Sequence, residues 1–226
     1  MALILNIDTA LETASLCLAK NGEEIKEVIN PEQRDHAAWI HTTIRQLMKD
    51  CGITLNQLDA IAISAGPGSY TGLRVGMSTA KGLCYALEKP LITISTLQIM
   101  AKAALSKIAK DLQEVLLAPM IDARRMEVYT AIFNKHLQTI KEPSAVILDE
   151  TSFIDILGNH PVIFFGNGSA KFQPLINHFN ATFLISNHSA KNMVEFAEKK
   201  FNNSDFADLA YSEPLYVKAF YSPQNK

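Results

Sequence analysis

The chain has 226 residues, of which 48% are hydrophobic and 19% charged, with a net charge of −2. That length allows one large domain or two of about 100 residues each, and the composition provides ample core. A protein that grips RNA unaided carries a basic surplus, so the balanced charge argues against nucleic-acid binding without a partner. Cys17, Cys51 and Cys84 are odd in number and lack Cys-x-x-Cys spacing, which fits reduced cytosolic thiols and argues against a disulfide scaffold or zinc knuckle. The start of the chain meets Asp8 after a short apolar run without a basic stretch, so no signal peptide is expected. No apolar stretch approaches the roughly 20 residues of a membrane span. The expected setting is the cytoplasm.

In chain order, "ALILNID" is a short apolar strand ending in an acid. "TASLCLAK" and "EEIKEVI" follow, separated by Asn21-Gly22, the pair that most favours a two-residue hairpin. Asp35 is placed to N-cap a helix with Ala37, Ile40, Ile44, Leu47, Met48 and Cys51 on one face, and Gly52 to end it. "LDAIAIS" is a buried strand. It leads into "GPGSYTGLRVG", with four glycines in eleven residues. A helix from about Tyr70 to Leu87 comes next, then the strand "PLITIS" and the helix "TLQIMAKAALSKIAK". The predicted order is β-β-β-α-β-α-β-α.

The second half starts again with strands, "EVLLAPMIDA", "MEVYTAIFN" and "AVILD". A helix near "TSFIDIL", the strand "VIFFG" and two further helical stretches complete it. The halves echo each other: "LNIDTALETASLCLAK" resembles "PMIDARRMEVYTAIFN", placing Asp8 over Asp122, and "AISAGPGS" resembles "VIFFGNGS", placing Gly66 over Gly166. A repeat of this length means two similar α/β lobes, predicted as 1–108, with the interface helices, and 109–226.

A duplicated lobe of this order, with an acid after the first strand, resembles the actin-like (ribonuclease H-like) ATPase superfamily. Within it, "ILNIDTALETASLCLA", "HAAWIHTTI", "GPGSYTGLRVGMSTAKGL", "IDARRMEVY" and "PLYV" are similar to the TsaB (YeaZ) family. The resemblance runs from residue 3 to about 218. It implies a non-catalytic, dimerising subunit that pairs with a paralogue, TsaD. With the small ATPase TsaE, that pair transfers threonylcarbamoyl to N6 of adenosine 37 in tRNA. ATP and metal would then belong to the partners, tRNA would be met only through the complex, and the chain alone would carry no cofactor.

The residues agree with a non-catalytic reading. A Walker loop needs Gly-Lys-[Ser/Thr], but here Tyr70-Thr71-Gly72 follows and the nearest cation is Arg74. Gly66, Gly68 and Gly72 do not have dinucleotide-fingerprint spacing, and the next strand ends at Ser95, not an acid. An actin-like site needs a glycine-softened phosphate loop from each lobe. After Asp8 the chain has Thr9-Ala10-Leu11, and after Asp122 it has Ala123-Arg124-Arg125. Gly166 and Gly168, with Ser169, are a plausible relic. His36 and His41 point about 140° apart on a helix, and His136, His160, His178 and His188 form no His-x-x-x-His. The resemblance implies that catalytic relatives hold their metal with such a pair. Ser69 lacks the Gly-x-Ser-x-Gly elbow and is read as a helix N-cap. Asp8 and Asp122 are either paired carboxylates across a cleft or, more simply, strand-end acids bonded to loop amides.

The helix after the glycine loop contains Gly72, Gly76 and Gly82, each costing about 1 kcal/mol relative to alanine. Gly72, Gly76, Thr79 and Ala80 form a small-residue stripe that admits another backbone. Arg74, Ser78, Lys81, Tyr85 and Glu88 form one narrow solvated stripe. On the preceding helix Trp39 sits on a shoulder with His36 and Thr43, either as the edge of the core or as an interface anchor. Extra apolar width on two neighbouring helices predicts a four-helix contact between subunits, through Trp39, Ile40, Thr43, Gly72, Leu73, Gly76, Met77, Thr79, Ala80 and Leu83. The alternative is that the glycine helix packs tightly inside its own lobe. Two rival functions remain, a metallo-glycoprotease and a free-standing actin-like kinase. Bound zinc or iron at a His pair would favour the first, and substrate-stimulated ATPase the second.

Overall fold

Leu3–Asp8 (β1) is buried along its whole length, so both faces of the sheet around it must be covered. It lies at the centre of five strands. Ala14–Lys20 (β2) and Glu23–Asn30 (β3) extend the sheet antiparallel on one side, and Ala60–Ser64 (β4) and Leu91–Ile94 (β5) extend it parallel on the other. Asn21 and Gly22 make the β2–β3 turn, both with positive φ, as a two-residue hairpin requires.

The computed structural model describes residues 2–30, 36–108 and 114–217. Asp35, the predicted N-cap, lies outside them. His36–Asp50 (α1) and Tyr70–Leu87 (α2) cover one face of the sheet, burying Ile40, Ile44, Leu47, Met77 and Ala80 against Leu5, Ile7, Leu16 and Ile63. Ala37, predicted for the buried face of α1, is exposed. Thr96–Leu105 (α3) and Val194–Asn202 (α6) serve the opposite face. The sheet residues clustered with Ile99, Met193 and Val194 there are the small Cys17, Ala19, Ala60 and Ala62 together with Ile4, Ile92 and Ile94.

The second sheet repeats the first strand for strand. Leu116–Asp122 (β6) is central, Glu127–Phe133 (β7) and Thr139–Ile147 (β8) run antiparallel on one side, and Val162–Phe165 (β9) and Ala181–Leu184 (β10) run parallel on the other. The short helices Ile154–Leu157 (α4) and Ser169–Phe172 (α5) accompany it. Its core is aromatic: Phe164 and Phe172 lie with ring centroids 5.0 Å apart in an edge-on contact, and Phe153 touches both.

The predicted C-terminal lobe, 109–226, is corrected in one respect. Among the described residues one unit comprises 2–108 and 186–214, and the other 114–185 and 215–217. The return is fixed by packing, since Ala190, Met193, Val194 and Ala197 are the apolar cover that the first sheet lacks on its second face. Lys81, read as solvated, instead donates to the carbonyls of Ala210 and Ser212 in the returning segment, at 3.1 and 2.9 Å. Two strand predictions also fall short. β10 is an additional strand, and β8 begins at Thr139 rather than near Ala145.

Candidate functional site

The C-terminal ends of β1 and β4 bring Asp8, Ser64 and the glycine loop together. Asp8 Oδ1 accepts from Ser64 Oγ at 2.6 Å and from the Ala10 amide at 3.0 Å. His188 Nε2, carried by the returning segment, stands 3.2 Å from Asp8 Oδ2. Burial raises the carboxyl's pKa, but His188, Ser64 and the Ala10 amide together outweigh it and hold Asp8 below its usual range. Asp8 is therefore a hydrogen-bonded strand-end acid that faces an imidazole.

Gly66, with φ of +106°, turns the chain after β4, and Ser69 Oγ accepts the Gly72 amide at 3.3 Å as the N-cap of α2. The loop faces the β1–β2 turn at close range: the Ser69 amide donates to the Ala10 carbonyl at 2.6 Å. A Cβ on Gly68 would collide with that same carbonyl oxygen, and one on Gly72 with the carbonyl oxygen of Thr9. Thr9 and Ala10 thus pack directly against the glycine loop.

The second unit treats its own strand-end acid in the same way. Asp122 Oδ1 accepts from Lys171 Nζ at 2.5 Å and from the Arg124 amide at 2.6 Å, while the Asp122 amide donates to Asn167 Oδ1 at 2.9 Å. Burial opposes ionisation here too, yet Lys171 and the Arg124 amide hold the carboxyl below its usual range. Gly166 has φ of +96°, and a Cβ on Gly168 would stand 2.8 Å from Val128 Cγ1 and 3.1 Å from the Asp122 amide nitrogen. Asp8, Gly66, Gly68 and Ser69 in one unit, and Asp122, Gly166 and Gly168 in the other, therefore occupy equivalent strand-end positions. Asp122 is paired with Lys171, and Asp8 faces the imidazole of His188, each within its own unit. Among the described residues no group of three His, Cys, Asp or Glu side chains is placed to hold a metal ion.

The interface prediction is corrected at most of its positions. Ile40, Gly72, Leu73, Gly76, Met77, Thr79 and Ala80 are buried within the chain itself, and Trp39 and Leu83 are half-buried against the same core. Thr43 is half-buried. The glycine side of α2 faces Thr9: a Cβ on Gly76 would collide with Thr9 Oγ1 and stand 2.8 Å from Ile63 Cδ1. The extra apolar width of this helix arises because it covers the β1–β2 turn as well as the sheet. What α1 and α2 present outward is different. Ala37, His41, Arg74, Val75, Ser78 and Thr79 line a shallow groove between the helices. Gly82, one turn beyond Ser78, is exposed and has nothing among the described residues within 4 Å of the Cβ it lacks. Nothing in the sequence marks His188 as the partner of Asp8, because the two lie near opposite ends of the chain and no local pattern links them.

These units define a duplicated actin-like, ribonuclease H-like α/β protein whose two strand-end loops are closed by the chain's own atoms. A family model described as TsaD, tRNA N6-adenosine threonylcarbamoyltransferase, matches residues 24–217. The chain is 31% identical over 225 residues to tRNA threonylcarbamoyladenosine biosynthesis protein TsaB of Haemophilus influenzae, covering 95% of this chain and 93% of that protein. It is 36% identical over 150 residues to the protein of the same name from Escherichia coli, covering 65% and 63%. The chain belongs to the TsaB (YeaZ) family. The solved structure of YeaZ from Pseudomonas aeruginosa has the same fold, with a TM-score of 0.80 at 24% identity over 96% of this chain and 100% of that one. No helix among the described residues is long and apolar enough to cross a membrane.

Proposed function

We propose that this chain acts in the biosynthesis of threonylcarbamoyladenosine in tRNA as a non-catalytic subunit. In this reading it pairs with the catalytic paralogue TsaD and works alongside the ATPase TsaE, and the chain alone forms a homodimer. Nucleotide and metal chemistry belongs to the partners.

The observation that carries the reading is the closure of both strand-end sites. Asp8 is matched by His188 and Asp122 by Lys171, and Thr9 and Ala10 fill the space under the glycine loop. A relative that keeps the fold but fills its phosphate loops has surfaces, not a reaction centre, to contribute. A free-standing kinase would need that loop open, so this geometry gives that rival no support.

The pairing surface we assign is the outward face of α1 and α2, around Ala37, His41, Ser78 and Gly82. A glycine in a helix interior costs about 1 kcal/mol relative to alanine. Gly72 and Gly76 are explained by their own lobe, whereas Gly82 has no neighbour among the described residues to explain it. Close approach of a partner helix at Gly82 accounts for it.

The test is reconstitution. Tagged chain should retain TsaD from its own cytosol, and threonylcarbamoylation of unmodified tRNA by TsaD and TsaE should rise on adding it. Full activity without it, or substrate-stimulated ATP hydrolysis by this chain alone, would overturn the reading.

A further inference from the structure

The hairpin turn between β6 and β7 holds two consecutive residues in the left-handed region, Arg124 with φ of +68° and Arg125 with φ of +47°. A side chain beginning with a Cβ is disfavoured there, and turns needing such backbone ordinarily use glycine, asparagine or aspartate. Two adjacent arginines are among the least expected choices on conformational grounds. Backbone that is costly for its residues points to a use for the side chains.

The turn is held from several directions. The Arg124 amide donates to Asp122 Oδ1, the Ala123 amide to the Glu127 carbonyl at 3.0 Å, and the Leu148 amide to the Met126 carbonyl at 2.7 Å. The neighbouring carboxylate, Asp122, is already matched by Lys171. Arg124 and Arg125 are exposed, and among the described residues no carboxylate forms an ion pair with either guanidinium. The tip of this hairpin is thus an exposed pair of positive charges carried on a hydrogen-bonded turn, in a chain whose total charge is −2.

We propose that the Arg124–Arg125 turn is a contact for the phosphate backbone of RNA. Guanidinium groups match phosphate oxygens in a bidentate fork, and two adjacent cations on a short turn suit successive phosphates of one strand. Two contacts bind weakly alone, which agrees with the overall charge. They act by positioning an RNA held chiefly by another subunit. This rests on the reading that the chain works on tRNA.

The double variant Arg124→Asn/Arg125→Gly removes both charges and supplies residues that suit left-handed backbone. The full-length chain alone is titrated with unmodified tRNA at low ionic strength, and separately with polyaspartate, while thermal unfolding is followed on the same samples. The variant should unfold at a higher temperature than the parent. It should bind tRNA more weakly, with a salt dependence of log K shallower by about 2, one for each phosphate that an arginine neutralises.

An unchanged tRNA affinity and slope would overturn the proposal. So would a loss confined to polyaspartate, which would make the turn a docking point for an acidic protein surface. A fall in unfolding temperature would show that the arginines serve the fold. Because the titration uses this chain alone, failure to pair with a catalytic subunit would count against the proposed function and leave this measurement readable.

Discussion

Thr9 Oγ1 donates a 2.8 Å hydrogen bond to the carbonyl oxygen of Gly72, tying the turn after the first strand to the first turn of α2. Both residues are fully or nearly fully buried. The contact requires the helix backbone to lie against the turn with no side chain between them. Four residues on, Gly76 extends the same approach.

Substitution of the three helix glycines should therefore give three different results. In Gly72→Ala the new methyl meets backbone, the Thr9 carbonyl, which cannot swing away. In Gly76→Ala it meets the ends of the Thr9 and Ile63 side chains. Overpacking of this kind costs about 1–3 kcal/mol, so Gly76→Ala should fall in that range and Gly72→Ala above it. Gly82→Ala meets nothing among the described residues and should stabilise the monomer by about 1 kcal/mol. Urea unfolding of dilute protein gives all three values, and equal effects would contradict this account of the helix.

Association should respond to the opposite face of the same helix. Ser78→Arg or Gly82→Arg places a long cation where a partner helix would approach, and an unpaired charge in such a contact costs about 2–5 kcal/mol. As surface changes in the free chain, the same substitutions should alter stability by about 0.5 kcal/mol, with Gly82→Arg gaining from helix propensity. Light scattering, with retention of TsaD on tagged chain, reads the weakened association. A variant that stays dimeric and keeps its partner would place the interface elsewhere.

The Asp8–His188 pair should leave its mark on acid stability. The folded-state pKa of Asp8 is depressed below its ordinary value of 3.8. Its contribution is therefore complete above that value and lost as pH falls through the folded pKa. In His188→Gln the buried carboxylate loses the ring that faces Oδ2, so stability at neutral pH should drop by about 1.5–3 kcal/mol, the range for a lost hydrogen bond to a charged group. Once Asp8 is protonated, neither protein has the pair to lose. The gap between parent and variant should narrow as pH falls below about 4. Denaturation curves from pH 7 to 3 test this, and a gap independent of pH would mean that His188 contributes by packing alone.

The cysteines should divide two to one in reactivity. Burial pushes the thiols of Cys17 and Cys84 up to about 12, so neither offers appreciable thiolate at pH 8. Cys51, just past the end of α1, is only half-buried. A maleimide should label Cys51 alone in the folded protein and all three thiols in urea, as peptide mass would read. Early labelling of Cys17 would show that the strand β2 opens readily.

Local features were legible because their causes are local. Asn21-Gly22 specifies its hairpin by backbone preference, and Ser69 caps α2 because a hydroxyl three residues before an unpaired amide has few alternatives. The duplication was legible because two strand-acid and two strand-glycine pieces recur in the same order, and the sheets repeat it strand for strand. Spacing on α2 told which residues share a face. It did not tell what each face meets, and the glycine face turned inward to Thr9 rather than outward to a partner. The return of 186–214 to the first unit was settled by an apolar sheet face of alanines and isoleucines that needed cover, and Asp8 acquired His188 by the same return. The amino-acid sequence by itself determined the repeated lobe, its turns and its caps, because neighbouring residues compete over short range. The packing of Thr9 and Ala10 against the glycine loop and the choice of exposed helix face were decided by the tertiary structure, because contacts between distant segments depend on which surfaces remain uncovered once the sheets have formed.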